Sequence, residues 1–370
     1  MSTPAPATTG SAPAPDKTWL NADRIFLVGL LIVPLAYASK FFSGGALTFA
    51  LCALALVPLA RWMGTATEVI AHRLGSGLGG LMNASFGNAA ELIIAIVALR
   101  AGHVDVVKAS ITGAILGNLL LVLGAAVLAG GIGREKQTFN ATAALSGSGL
   151  MFLAVTAMSI PDLFHVARGE AAVEVLRPMS IGISVVLLII YALSLVFALR
   201  THKHLYAGED DDSDDMPPWS QKKAIFVLLA TTIGVVVMAE VLVGAIEPTI
   251  EKFGWTHTFI GVVVIAIVGN AAEHSTAVMM ALKNKMDLAF NIAFESSKQI
   301  ALFVAPLLVL LSVPLGQNLT LEFSHMEVVG MAVGVGAATL IGIDGESNWL
   351  EGVMLLGVYA ILAVAFFFIP

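Results

Sequence analysis

The pentapeptide Gly87-Asn88-Ala89-Ala90-Glu91 returns as Gly269-Asn270-Ala271-Ala272-Glu273, 182 positions later, and each copy lies inside an apolar block. A charged side chain at the centre of a membrane helix costs about 3 kcal/mol, so such a carboxylate is expected to be protonated, paired or bound to a cation. Close helix packing accounts for the Gly and Ala of the motif, but not for a Glu in both copies. A glycine before Asn permits a local break in the helix, where freed carbonyls can face a cation. Asn88 and Glu91 are three apart, so both face one way, and Asn270 and Glu273 repeat that spacing. Two carboxylates, two amide oxygens and the carbonyls around Gly87 and Gly269 form an all-oxygen ligand set. Hard Ca2+ prefers such a set, whereas zinc and copper sites recruit His or Cys. The same carboxylates bind protons, so Ca2+ and H+ compete for one pair of groups. Competition at a site that opens to one side at a time is what antiport requires.

The elements that hold these motifs are membrane-spanning helices. Of 370 residues, 58% are hydrophobic and 12% charged, about half the charged share of a soluble domain. The apolar residues come in blocks of about 20, the length that crosses a hydrocarbon core. Blocks near 25–42, 45–62, 77–100, 106–131, 139–160 and 178–199 precede a polar stretch, and blocks near 224–246, 257–282, 287–313, 326–343 and 349–369 follow it. The expected fold is an all-α polytopic membrane protein of about eleven transmembrane helices: one N-terminal helix plus two inverted five-helix repeats. An odd number of spans per repeat sets the two copies in opposite orientations, with the site where they meet near the midplane.

The domain reading follows from the same blocks. Residues 1–22, rich in Pro, Ala, Thr and Ser, form a tail without an apolar stretch; 23–200 and 224–370 are the two halves; 201–223 is an acidic linker with a Pro-Pro pair. Lys and Arg concentrate at alternate joints, including Arg61, Arg73, Arg134, Lys136, Lys283 and Lys285. This bias puts the N-terminus in the cytosol. The host membrane is then a bacterial inner membrane or an organellar one, with lipid as the surrounding partner. The net charge of −7 owes much to the run Glu209 to Asp215, so nucleic acid is not an expected partner. The one cysteine, Cys52, lies in an apolar block, which leaves no intrachain disulfide.

With these residues in view, the chain resembles the calcium/proton antiporter family known as CAX, within the calcium/cation antiporter superfamily. Thr65-Ala66-Thr67-Glu68 and the run Gly79 to Ile93 look like that family's first repeat. Phe259 to His274 and Glu295-Ser296-Ser297-Lys298-Gln299 look like its second. The resemblance implies an eleven-span fold and Ca2+/H+ exchange, with Glu91 and Glu273 as shared ligands, Ca2+ and H+ as transported ions, and no cofactor or enzymatic activity. Where the family carries Gly-Ser-Ser-x-Gln, this chain has Glu295 and Lys298, which either form an ion pair one helical turn apart or leave Lys298 to tune the cation path. The stretch Gly113 to Asn118 lacks serines common in the family, and Asn118 either lines the path or bonds between helices.

Other polar residues carry two readings each. Glu68 and Glu240 relay protons or line a vestibule, or else sit at the interface; the resemblance favours the first for Glu68. His274 either assists proton exchange or is a packed, hydrogen-bonded side chain. Ser296, Ser297 and Gln299 are candidate lining residues of the proton and cation path. His202 and His204 suit a solvated linker better than a metal site. Asp105 and Asp287, related by the same offset, are helix-start residues. The main alternative function is sodium-coupled exchange of calcium or another divalent cation in the same superfamily; His274 and the Ser-Ser-x-Gln segment favour protons. An intramembrane hydrolase lacks a paired catalytic motif, and a passive channel would not drive flux against a gradient.

Overall fold

Apolar side chains that cannot all be buried must face lipid, and the distribution of burial sorts the helices accordingly. The computed structural model describes residues 25–202 and 219–369. The tail to residue 22, His204 and the run Glu209 to Asp215 lie outside the described residues. Nine helices among the described residues are long and apolar enough to cross a membrane. In chain order the helices are α1 (Ile25–Phe42), α2 (Ala46–Phe86), α3 (Ala89–Arg100), α4 (Val104–Gly131), α5 (Ala141–Arg168), α6 (Val173–Thr201) and α7 (Gln221–Gly244). Then come α8 (Ile246–Phe253), α9 (His257–Gly269), α10 (Ala271–Leu282), α11 (Met286–Ser312), α12 (His325–Gly342) and α13 (Trp349–Phe367).

The expected blocks 77–100 and 257–282 are not continuous helices. The first is interrupted between α2 and α3, and the second between α9 and α10. Among the described residues, continuous helix therefore supports nine spans, or ten if the bent pair α8 and α9 is counted as one, short of the expected eleven because the interrupted segments are too short to pass as continuous spans. Helix α2 also outruns its expected block at residue 62, staying helical to a break at Gly75, whose φ of 80° suits glycine. Arg61, expected among the inner loop charges, is thus a helical residue.

The 182-residue offset reappears in the structure. Helices α3 and α10 share their limits under it, as do the starts of α4 and α11, and Gly102 (φ 87°) matches Asn284 (φ 62°) in the left-handed region between them. Both α4 and α11 contain a π-helical turn, Gly117–Val122 and Ile300–Val304. Such turns recur at functional positions in helices. These two helices form the centre: 83% of the apolar stretch of α4 and 67% of that of α11 is buried, against 11% of α1 and 17% of α6. An all-round apolar helix belongs inside a bundle, and a half-exposed one at the lipid.

Close contacts along α4 and at its end fix the centre. Helix α4 meets the start of α9 so closely that a Cβ on Gly113 would lie 2.2 Å from the Val262 carbonyl oxygen, and one on Gly261 would lie 2.4 Å from the Ala109 Cβ. Small residues let membrane helices come this near. At the end of α4 a two-residue strand, β1 (Gln137–Thr138), pairs antiparallel with β2 (Glu346–Ser347), and Asp287 accepts a hydrogen bond from the Asn140 amide at 2.6 Å. Asp287 and Asp105 both lie in the first turns of their helices. On the other side of α4, a Cβ on Gly352 of α13 would come 2.3 Å from the Leu128 amide nitrogen. The Gly352→Ala variant is therefore expected to lose about 1–3 kcal/mol from overpacking and to unfold at a lower temperature in detergent. Gly357→Ala, in the same helix with nothing within 4 Å of the new Cβ, should unfold at the wild-type temperature or above.

Candidate functional site

Both interruptions are built on asparagine. Asn88 (φ −102°, ψ 33°) and Asn270 (φ −93°, ψ 13°) leave helical geometry, while Gly87 stays helical. The glycines therefore act through space and not through backbone freedom. A Cβ on Gly87 would stand 2.8 Å from the Asn83 carbonyl and 3.2 Å from Gln299 Oε1, and one on Gly269 would stand 3.1 Å from Glu91 Cγ. The two copies thus touch crosswise, the first repeat's Glu91 lying over the second repeat's glycine.

The amides cross in the same manner. Asn88 Nδ2 donates to Gln299 Oε1 at 3.0 Å, and Asn118 Nδ2 donates to Asn270 Oδ1 at 3.1 Å. Gln299 adjoins the π turn of α11 and Asn118 lies within that of α4. Each π turn thereby offers an amide to the interruption of the opposite repeat. Asn118 is accordingly an interhelical hydrogen-bonding residue, with its own Oδ1 buried and unpartnered.

Glu91 and Glu273 occupy the first turns of α3 and α10, where the positive end of the helix dipole favours a negative charge. They lie within electrostatic reach of each other, and Glu273 also feels Glu68 and Arg61. Glu91 Oε1 and Glu273 Oε2 are buried and accept no hydrogen bond. Buried acceptors are nearly always satisfied in folded proteins. Three such oxygens, counting Asn118 Oδ1, are a demand for a cation or for protons, and their all-oxygen chemistry suits a hard divalent ion.

Access to the pair is unequal. A cavity of about 280 Å³ reaches Glu273 and Gly87 and is lined also by Glu68, Glu295, Ser296 and Gln299. On the other side, Glu91, Gly269 and Asn270 border a void of only about 20 Å³, walled by Ile94, Ile111, Ile265 and Ile300. Lys298 is buried and pairs with Glu295 across one turn. Ser297 is buried and donates to the Ala293 carbonyl, outside both cavities. His274 follows Glu273 but lines neither cavity, and its Nε2 is buried without a partner. Glu240 is exposed on α7 and borders neither cavity.

Sequence reasoning passed over Arg61, which lines the larger cavity and donates from Nη1 to Thr276 Oγ1 at 3.2 Å. Asn83, Thr65 and Asn291 line the same cavity. The signal available was the helical spacing of Arg61, Thr65 and Glu68 on one face.

A profile described as sodium/calcium exchanger protein matches residues 44–200 and 223–368. The Ca(2+)/H(+) antiporter of Synechocystis sp. is 45% identical over 364 residues, covering 94% of this chain and 98% of that protein. The Ca(2+)/H(+) antiporter ChaA of Bacillus subtilis is 42% identical, covering 93% and 99%. The solved structure of native YfkE superposes with a TM-score of 0.80 at 40% identity, over 93% of this chain and all of that one.

The crossed amides generate a test. Gln299→Ala removes the partner of Asn88, at a net cost of about 0.5–1.5 kcal/mol for one hydrogen bond. Equilibrium titration of the purified variant with a divalent cation is expected to give about two- to tenfold weaker binding with the thermal unfolding profile retained.

Proposed function

The chain belongs to the sodium/calcium exchanger protein family, and from that premise we propose that it is a secondary transporter exchanging Ca2+ for H+ across its membrane, with Glu91 and Glu273 carrying either ion in turn. The observation that carries this reading is the pairing of two interrupted helices that bring two carboxylates, each with an unpartnered buried oxygen, to one central site with unequal access from the two sides. Relatives at this level of identity bear the name Ca2+/H+ antiporter, which supports protons over sodium as the coupling ion.

The cycle follows from charge. With Ca2+ bound, the two negative carboxylates are neutralised; with two protons bound, they are neutralised equally. Both loaded forms can cross the low-dielectric closed state, whereas the empty dianion pays the full desolvation of two charges. That difference couples the two fluxes and suppresses leak. The large cavity is the open vestibule of the present state, and the α4–α9 seam is its closed gate. Glu68, beside Arg61 and Glu273, passes protons between the vestibule and the site, while Ser296, Gln299 and the Glu295–Lys298 pair form the vestibule wall. His274, next to Glu273 in the chain, assists proton exchange, and Glu240 stays at the periphery. The halves 23–200 and 224–370 carry the inverted repeats, the first preceded by the N-terminal helix, and are joined by the linker 201–223. The N-terminus is cytosolic, so the vestibule opens to the cytosol. The protein performs no catalysis and needs no cofactor; its partners are the two ions and the lipid around it.

Reconstituted vesicles with an imposed pH gradient and no sodium are expected to accumulate Ca2+ against its gradient. Glu91→Gln and Glu273→Gln each keep the side-chain shape but lose the charge and the exchangeable proton, and each should abolish uptake. Glu68→Gln should slow uptake only partly, because water can replace a relay. Near-normal uptake by either Glu91→Gln or Glu273→Gln would remove the assignment, and uptake that requires sodium would replace the proton with Na+.

A further inference from the structure

His103, Glu247 and His257 come from three different helix starts and converge on the face away from the vestibule. His103 is the residue before α4, Glu247 lies in the first turn of α8, and His257 opens α9. Their ligand atoms all lie within 4.8 Å of one another. His257 Nε2 is 2.8 Å and His103 Nδ1 3.6 Å from the same oxygen, Glu247 Oε1. In a tetrahedral zinc site with bonds of about 2.1 Å, neighbouring ligand atoms stand about 3.4 Å apart. The cluster needs shifts of no more than rotamer size to meet that spacing.

From this geometry we propose that His103, Glu247 and His257 bind a borderline transition-metal cation such as Zn2+, and that the bound metal clamps the closed gate. Two imidazoles and one carboxylate are the donor set that zinc selects and Ca2+ does not. The chemistry is therefore distinct from that of the all-oxygen central site. The fourth position is left to water.

The clamp follows from what the three residues join. Helices α4 and α9 form the seam, through Gly113 against Val262 and Gly261 against Ala109, that closes off the small void beside Glu91. Opening that side requires the outer ends of α4 and α9 to separate. A metal bridging His103 at the start of α4 and His257 at the start of α9 holds those ends together. The device is one-sided, because the positions 182 residues away are Lys285, Thr65 and Gly75, which offer no matching donors. A ligand that binds one of two conformations shifts the population toward it, so the metal traps the state with the vestibule open.

The metal site stands on its own geometry, while the clamp rests on the exchange reading above, and two measurements keep them apart. The first is calorimetric titration of the purified full chain with ZnCl2, which needs no transport. The wild type is expected to bind Zn2+ at this site, and His103→Gln/His257→Gln is expected to bind it at least tenfold more weakly, with its elution volume and Ca2+ binding unchanged. Equal Zn2+ affinity in the two proteins would overturn the site. The second is Ca2+ uptake into vesicles at a Zn2+ concentration that occupies the wild-type site. Wild-type uptake should fall, and the double variant, active without Zn2+, should resist. Inhibition of both proteins alike would trace the effect to competition at Glu91 and Glu273, and inhibition of neither would leave the metal without a grip on the gate; either result overturns the clamp.

Discussion

Two carboxylates, Glu91 and Glu273, each with a buried oxygen that accepts no hydrogen bond, are the constraint on which the rest of the structure depends. Left ionised and unpaired in a low-dielectric interior, Glu91 and Glu273 would strongly oppose folding. The fold sets each at the positive end of a short helix, and under the proposed function a cation or proton supplies the remaining charge. The interruptions at Asn88 and Asn270 exist to create those helix starts at membrane depth, where irregular backbone is tolerated only inside protein or along a cavity. The π turns of α4 and α11 then supply the amides that hold the interruptions open. Burial of α4 and α11 at the centre follows, since the surrounding helices screen the polar core from lipid.

The asymmetry between the two sides is the second physical feature. Helices α3 and α10 share their limits and cap geometry, and α4 and α11 their starts, yet one side of the site meets a cavity of about 280 Å³ and the other a void of about 20 Å³. Sequence-related halves in two different arrangements are what alternating access needs, because exchanging their arrangements moves the opening to the other face. Glycine contacts as close as those of the α4–α9 seam make the closed side tight, and a tightly packed interface has discrete positions and not a continuous range.

Much of this is legible in the sequence because the cost of misplacing a charge is high. The long apolar blocks let the helical membrane fold be read directly, and since helix packing alone gives no reason for a Glu in both copies of an apolar motif, the sequence also singles out the two acids that the fold brings within electrostatic reach of each other. The ion pair between Glu295 and Lys298 is one of two readings, local enough to be judged by helical spacing. What the sequence withholds is long-range register. Asn88 meets Gln299 across 211 residues and Asn118 meets Asn270 across 152, and no periodicity announces such partners. Arg61 reads as a loop charge because hydropathy ends where helix α2 does not. Glycine is expected to break the helices by its freedom, whereas Asn does so and glycine makes room. The His103, Glu247 and His257 cluster is invisible in the sequence because its members belong to separate helix starts.

Counting protons against calcium at equilibrium addresses the central claim without needing transport. Each proton displaced from a ligand by Ca2+ adds one unit to the slope of log affinity against pH. Calcium binding to the purified protein, measured between about pH 5 and 9 around and above the ordinary carboxylate range, should strengthen with pH. The limiting slope should approach two, because the pair titrates jointly. Affinity that does not change with pH would contradict competition between Ca2+ and H+ at Glu91 and Glu273.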